Sequence, residues 1–150
     1  MRLVIQRVSR ASVTIGQELH SGIGPGLFIL VGVENGDSEA DAAWLAGKAA
    51  GLRIFNDGDG VMNKSVVEVG GELLAVSQFT LTASTRKGNR PSYIRAAGHD
   101  LAIPMYECFC RFLSEATGKE VRQGVFGADM KCELVNDGPV TIIIDSRIKE

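Results

Sequence analysis

Leu27-Phe28-Ile29-Leu30-Val31-Gly32-Val33 is the longest apolar run of the chain. A strand with one wet face alternates polar and apolar residues, whereas a strand covered on both faces has no reason to alternate. The run has the length of a strand and falls far short of the roughly 20 residues that span a bilayer. It therefore predicts a central strand with layers on both sides. The glycines before it, in Gly22-Ile23-Gly24-Pro25-Gly26, open a strand rather than a helix, which argues against a loop that cradles nucleotide phosphates.

Upstream of this run, residues 2–8 and 11–15 are short and rich in β-branched side chains, and they predict two strands separated by Ser9-Arg10. Downstream, Asn35-Gly36-Asp37-Ser38 ends in an N-cap residue, and residues 38–50 carry the Ala, Glu and Leu of a helix. Strands are expected at 52–55, 66–69 and 73–81, with a turn at Asn56-Asp57-Gly58-Asp59-Gly60. Residues 82–98 are a polar loop. Residues 99–117 space Met105, Phe109, Phe112 and Leu113 as one helical face that Gly118 stops, with Pro104 expected near the first turn or at a kink. Val121, 130–135 and 140–144 complete the strands. With no repeat or linker, the pattern predicts an α/β fold over 1–150, a single compact domain with a β-sheet or barrel-like core and two main helices.

The 150 residues are 45% hydrophobic and 23% charged, enough to build one core without disulfides or metal. The formal net charge of −2 provides no global field for nucleic acid or membrane, so an RNA partner needs a local basic patch. Cys108, Cys110 and Cys132 form neither a CxxC motif nor an even set, so neither a zinc site nor a disulfide framework is indicated. The opening Met1-Arg2-Leu3-Val4-Ile5-Gln6-Arg7 lacks the apolar core of a signal peptide. A soluble cytoplasmic protein without membrane partner, metal or cofactor is the expectation.

Familiar catalytic signatures are absent: there is no GxSxG, no HExxH and no Walker loop, and the two histidines, His20 and His99, fit no triad order. His99-Asp100 reads as the start of a helix. Three polar features remain. Ser77-Gln78-Phe79-Thr80 closes an apolar strand, where alternation would send Gln78 and Thr80 to one face; it reads either as a recognition surface or as a strand leaving the core. Asn136-Asp137-Gly138-Pro139-Val140-Thr141 lies between two strand-like runs and reads as a hairpin turn, or as a Gly-Pro unit aiming its carbonyls in an unusual direction. The stretch Arg86-Lys87-Gly88-Asn89-Arg90-Pro91-Ser92-Tyr93-Ile94-Arg95 has four cations, no acid and one aromatic ring, a composition that suits phosphates and a base as well as it suits a solvated loop.

Together Ser77-Gln78-Phe79-Thr80-Leu81, Gly88-Asn89-Arg90-Pro91-Ser92 and Asn136-Asp137-Gly138-Pro139-Val140-Thr141 resemble the motifs of D-aminoacyl-tRNA deacylases. The opening stretch from Ile5 to Val13 and Phe126-Gly127-Ala128-Asp129-Met130 resemble that family too, in order and spacing. The resemblance implies a homodimeric hydrolase that cleaves the ester between a D-amino acid and the 3′ end of tRNA. It implies that Gly138-Pro139 holds a cis bond and enters the partner's pocket, rejecting L-amino acids. It further implies that Ser77, Gln78, Phe79 and Thr80 form the catalytic floor, that Phe126 and Met130 form the wall, and that Arg7 orients the Gly-Pro carbonyls. Arg86, Lys87, Arg90 and Arg95 are the expected tRNA contacts. Tyr93 stands where many relatives have Phe.

Such chemistry suits a chain poor in acid–base residues. An aminoacyl ester is already activated, the terminal 2′-hydroxyl can assist water, and the protein contributes position and backbone donors to the oxyanion. A Thr80 nucleophile would have no base near it in sequence. The same basic loop would also serve a non-catalytic dimeric nucleic-acid-binding module, and a small-ester hydrolase is a further alternative.

Overall fold

A computed structural model describes residues 1–150. The central run is strand β3 (Gly26–Gly32), flanked in the sheet by β1 (Arg2–Ile15) and β6 (Glu72–Ser77). Strand β1 pairs antiparallel with β3 through Arg2–Val8 and with β2 (Glu18–Ile23) through Ala11–Ile15. That change of neighbour explains why one continuous 14-residue strand replaces the two expected strands: Ser9 and Arg10 are exposed, yet the backbone runs on. Strands β3 and β6 are parallel, as are β6 and β7 (Val121–Gln123). On the far side of β1 lies β8 (Met130–Asp145), antiparallel along nearly its whole length. The sheet curls until the Ser21 hydroxyl of β2 donates to the Gln123 carbonyl of β7 at 2.8 Å, giving a nearly closed, barrel-like wall.

Two helices, α1 (Glu39–Gly51) and α2 (His99–Thr117), pack together against one face. Alternate residues of β3 serve opposite cores, as its unbroken apolarity demands. Leu27, Ile29 and Val31 join the larger core under the helices, where Leu45, Phe109 and Leu113 are completely buried. Phe28 turns into a smaller cluster inside the curl with Val8, Val13, Leu74 and Val76, against which Leu30 and Met130 pack. At the start of α1 the Asp41 carboxylate accepts from the Ser38 N–H and hydroxyl, both at 2.9 Å. Burial opposes ionisation there, but hydrogen bonds from Ser146 and Ser38 hold Asp41 down at about 2. Helix α2 ends in Gly118 at φ 68°, a left-handed cap that glycine adopts without steric cost. Pro104 sits inside α2 as its sixth residue rather than in the first turn.

Three other strand expectations fail. Residues 66–69 form a turn because Ser65 and Glu68 satisfy each other: the Ser65 N–H donates to the Glu68 carboxylate at 2.7 Å and the Glu68 N–H donates to the Ser65 hydroxyl at 3.3 Å. This capping interaction outweighs the β preference of Val66 and Val67. The strand expected at 52–55 forms only as β4 (Phe55–Asn56), in a small hairpin with β5 (Met62–Lys64). The third case, 73–81, shapes the site.

Candidate active site

Strand β6 ends at Ser77, opposite Val31, and the Gln78 N–H makes a last bond to the Val31 carbonyl at 2.8 Å. The chain then turns into a short 3-10 helix, Phe79–Thr82, instead of continuing as strand. Gly32 makes room for it, since a Cβ there would lie 2.9 Å from the Leu81 Cβ and 3.2 Å from the Gln78 carbonyl oxygen. The turn is closed from within: the buried Thr82 hydroxyl donates to the Phe79 carbonyl at 2.8 Å, and the Gln78 amide donates to the Thr80 hydroxyl at 2.5 Å. The alternation expected for Gln78 and Thr80 therefore does not exist. The N–H groups of Phe79 and Thr80 begin the 3-10 helix and have no hydrogen-bond partner, as the first donors of a helical segment must if nothing caps them.

Phe79, which carries the first of these donors, lines a cavity of about 680 Å³. Ser77, Gln78 and Phe79 line one side, the start of α2 at Gly98, His99 and Ala102 another, and Phe126 and Met130 a third. The Phe126 ring is held edge-to-face between His99, at a centroid distance of 5.7 Å, and Tyr106, at 6.2 Å. Tyr106 is anchored in turn by its hydroxyl, which donates to the Ala75 carbonyl of β6 at 3.0 Å; burial pushes its pKa well above that of a free phenol. His99, Asp129 and Cys132 are the titratable side chains on the lining, and partial burial raises the Cys132 thiol. No group of three or more His, Cys, Asp or Glu side chains is placed to hold a metal ion. Cys108 and Cys110 are both buried in α2, and burial pushes Cys110 up to about 12. The arrangement can bind and orient an apolar-faced ligand and offer an N–H group to an oxygen; it holds a single carboxylate, and no hydrogen bond joins Ser77 or Cys132 to His99 as a nucleophile–base pair.

Of the expected site residues, Ser77, Gln78, Phe79, Phe126 and Met130 meet at this cavity, while Thr80, Arg7, Gly138 and Pro139 do not line it. Sequence reasoning missed His99, whose position at the first turn of a helix carries no distinguishing signal. Gly138 and Pro139 are exposed residues within β8, joined by a cis peptide bond, so the expected hairpin turn is a local bulge in one 16-residue strand. The Asn136 side chain bridges this bulge, accepting from the Val140 N–H at 2.8 Å and donating to the Val140 carbonyl at 3.2 Å. Arg7, almost fully buried, fixes its position: Nε donates to the Asp137 carbonyl at 2.7 Å and a terminal nitrogen donates to the Ile54 carbonyl at 2.7 Å. A Cβ on Gly138 would come within 2.7 Å of Val140 Cγ2, so only glycine fits.

The basic loop divides into two kinds of cation. Arg86, Lys87 and Arg90 are exposed and make no hydrogen bond or ion pair with the chain. Arg95 is tied into the fold, donating to the Thr82 carbonyl at 3.1 Å and lying 3.8 Å from the buried Glu34 carboxylate.

The model of the D-Tyr-tRNA(Tyr) deacylase family matches residues 4–145. The chain belongs to that family. Among similar members of the deacylase family are the D-aminoacyl-tRNA deacylase of Phocaeicola vulgatus, 63% identical over 150 residues, and that of Bacteroides thetaiotaomicron, 60% identical over 150; both comparisons cover 100% of each chain. Among solved structures, the c-Myc DNA Unwinding Element Binding Protein superposes with a TM-score of 0.92 at 39% identity, covering 97% of this chain and 98% of that one. A probable eukaryotic D-amino acid tRNA deacylase shares the deacylase fold, with a TM-score of 0.81 over 95% of this chain and 97% of its own, at 17% identity.

Proposed function

We propose that the protein is a cytoplasmic homodimer that removes D-amino acids from tRNA, with each pocket completed by the partner subunit's Gly-Pro tip. Family membership makes the chain a hydrolase of D-aminoacyl-tRNA; the roles of individual residues are our reading. The observation that carries it is the pair of unpartnered N–H groups on Phe79 and Thr80, the first of them on the lining of a cavity whose His99, Asp129 and Cys132 side chains make no hydrogen bond with one another.

In this reading the esterified adenosine and its amino acid occupy the cavity, with Phe126 and Met130 as apolar walls. Water adds to the ester carbonyl carbon, assisted by the substrate's own 2′-hydroxyl, and the carbonyl oxygen becomes an oxyanion bonded by the Phe79 and Thr80 N–H groups. Collapse of this intermediate breaks the bond to the ribose 3′-oxygen, which takes the proton lost by the water. Ser77 and Gln78 orient the substrate, and Gln78 holds the Thr80 hydroxyl through its amide. Removing one oxyanion donor from a hydrolase costs about 10²–10³ in kcat, so two such donors provide much of the acceleration without an ionisable group.

The exposure of Gly138 and Pro139, away from their own chain's cavity, supports a role in a second subunit. Their carbonyls would occupy the space that an L side chain needs and leave a D side chain free. Arg86, Lys87 and Arg90 hold tRNA phosphates. The likeness to a protein named for binding a DNA element favours one further reading, in which the same basic loop serves nucleic-acid binding alone. Incubation with D- and L-aminoacyl-tRNA separates the two. Fast release of the D-amino acid with the L-ester spared is expected, whereas retention of both esters on bound tRNA would leave the binding-only reading.

A further inference from the structure

We propose that Phe79 and Tyr93 together form a stacking subsite for the unpaired nucleotide that precedes the esterified adenosine. The inference rests on the deacylase reading and adds a second nucleotide to the substrate that the protein recognises. The two rings meet edge-to-face at the lip of the cavity, with centroids 5.0 Å apart and planes inclined at 70°. Both are unusually open for aromatic side chains in contact: Phe79 is 56% exposed and Tyr93 39%. Apolar rings left in water beside a cavity indicate a surface that something else covers.

Position identifies the occupant. Phe79 lines the cavity that would take the terminal adenosine. Tyr93 sits between Ser92 and Ile94, which line a separate depression of about 770 Å³ together with Arg86 and Lys87. The aromatic pair thus stands between an apolar pocket and a cationic hollow. A strand of RNA whose 3′ residue enters the pocket and whose backbone phosphates reach the cations must pass over it. Aromatic platforms flanked by basic groups bind single strands in this way, and stacking tolerates any base because every base has a π-face. The cations next to the platform have no acid to neutralise them: Arg86 and Lys87 make no ion pair, while Arg95, at the end of the loop, is engaged by Glu34. The ligand class is therefore the unpaired 3′ end of an RNA, recognised through at least two nucleotides.

The test compares D-aminoacyl-adenosine with the D-aminoacyl ester of the dinucleotide CpA. If the platform binds the added cytidine, the wild-type protein hydrolyses the dinucleotide ester with a kcat/KM about 5- to 150-fold higher. That advantage shrinks toward one in Tyr93→Leu, which keeps apolar bulk but has no π-face, and returns in Tyr93→Phe. In parallel, free CpA is titrated into the wild-type protein and the tyrosine ring protons are followed by NMR. The chain has only two tyrosines and Tyr106 is buried, so the Tyr93 signals are readily assigned and should move upfield. Equal kcat/KM for the two esters in the wild type, a full advantage retained in Tyr93→Leu, or Tyr93 resonances unmoved by saturating CpA would each overturn the proposal. A wild-type preparation that cleaves neither ester and also leaves full-length D-aminoacyl-tRNA intact would refute the deacylase reading instead, and the NMR titration then decides the subsite.

Discussion

Replacing Arg7 by methionine removes the group that holds the Gly138-Pro139 tip while keeping much of the apolar stem. In the structure the guanidinium donates to the Asp137 carbonyl and the Ile54 carbonyl, both at 2.7 Å, and lies 3.4 Å from the Asn56 side-chain oxygen. Hydrogen bonds with a charged donor contribute about 1.5–3 kcal/mol each, and an orphaned buried acceptor adds its own desolvation cost. The bond to Ile54 is fully buried and counts most; the Asp137 carboxylate, 3.8 Å away and 63% exposed, counts little. A total loss of about 3 kcal/mol is expected, which for a domain of this size lowers Tm by about 6–12 °C. The functional effect should be more specific than the thermal one. With Asp137 released, the tip loses its fixed position, and the ratio of D- to L-aminoacyl-tRNA hydrolysis, measured in single turnover below the new Tm, should fall at least about tenfold, equivalent to about 1.4 kcal/mol of discrimination. Arg7→Lys retains the charge, but one ammonium cannot span two acceptors, and it should fall in between. An Arg7→Met protein with unchanged Tm and an unchanged D-to-L ratio would refute the reasoning.

Gly32→Ala should displace the 3-10 helix at Leu81 and Gln78, lowering kcat on D-aminoacyl-tRNA by about tenfold or more while circular dichroism remains that of the folded protein; full activity would show that the turn tolerates the shift. Thr80→Ala should cost far less than the ~10⁴–10⁶-fold loss expected for an essential nucleophile, because its backbone N–H survives the change. Abolished turnover in that folded variant would restore the hydroxyl to the mechanism. Arg86→Ala combined with Lys87→Ala should weaken tRNA binding and lower the magnitude of the salt slope by about 0.7–0.9 for each phosphate that is no longer neutralised. The D-to-L ratio should stay near its wild-type value; its collapse would place the loop in the amino-acid pocket.

How much of this was legible in the sequence depends on which interactions are local. The unbroken apolarity of Leu27–Val33 placed the central strand because burial on both faces leaves a mark on every residue. Helix α2 was readable from the spacing of Met105, Phe109 and Leu113 and from the glycine at its end. The 3-10 helix at Phe79 was not, because what bends the chain is the packing of Leu81 against Gly32, nearly fifty residues away in sequence, and β preference alone favours strand there. The same holds for Gly138-Pro139: pairing of β8 with β1 carries the strand through a sequence that by itself reads as a turn. The resemblance supplied most of the candidate residues, and the structure brings Ser77, Gln78, Phe79, Phe126 and Met130 to one cavity. His99 and the tethering of Arg95 by Glu34 depend on tertiary packing and leave no trace in spacing.

The central claim is that chirality is read sterically, by backbone carbonyls that exclude a side chain rather than by contacts that recognise one. The most direct measurement is the single-turnover rate of glycyl-tRNA beside those of D-alanyl- and L-alanyl-tRNA, because glycine and L-alanine differ only by the methyl group that the tip would exclude. Forcing a methyl into a packed site costs about 1–3 kcal/mol, or about 5- to 150-fold in rate, and more where the backbone cannot relax. Glycyl- and D-alanyl-tRNA should both be cleaved rapidly while L-alanyl-tRNA lags by at least that factor. Glycyl-tRNA spared alongside L-alanyl-tRNA would contradict it, since a filter made only of exclusion has nothing in glycine to exclude.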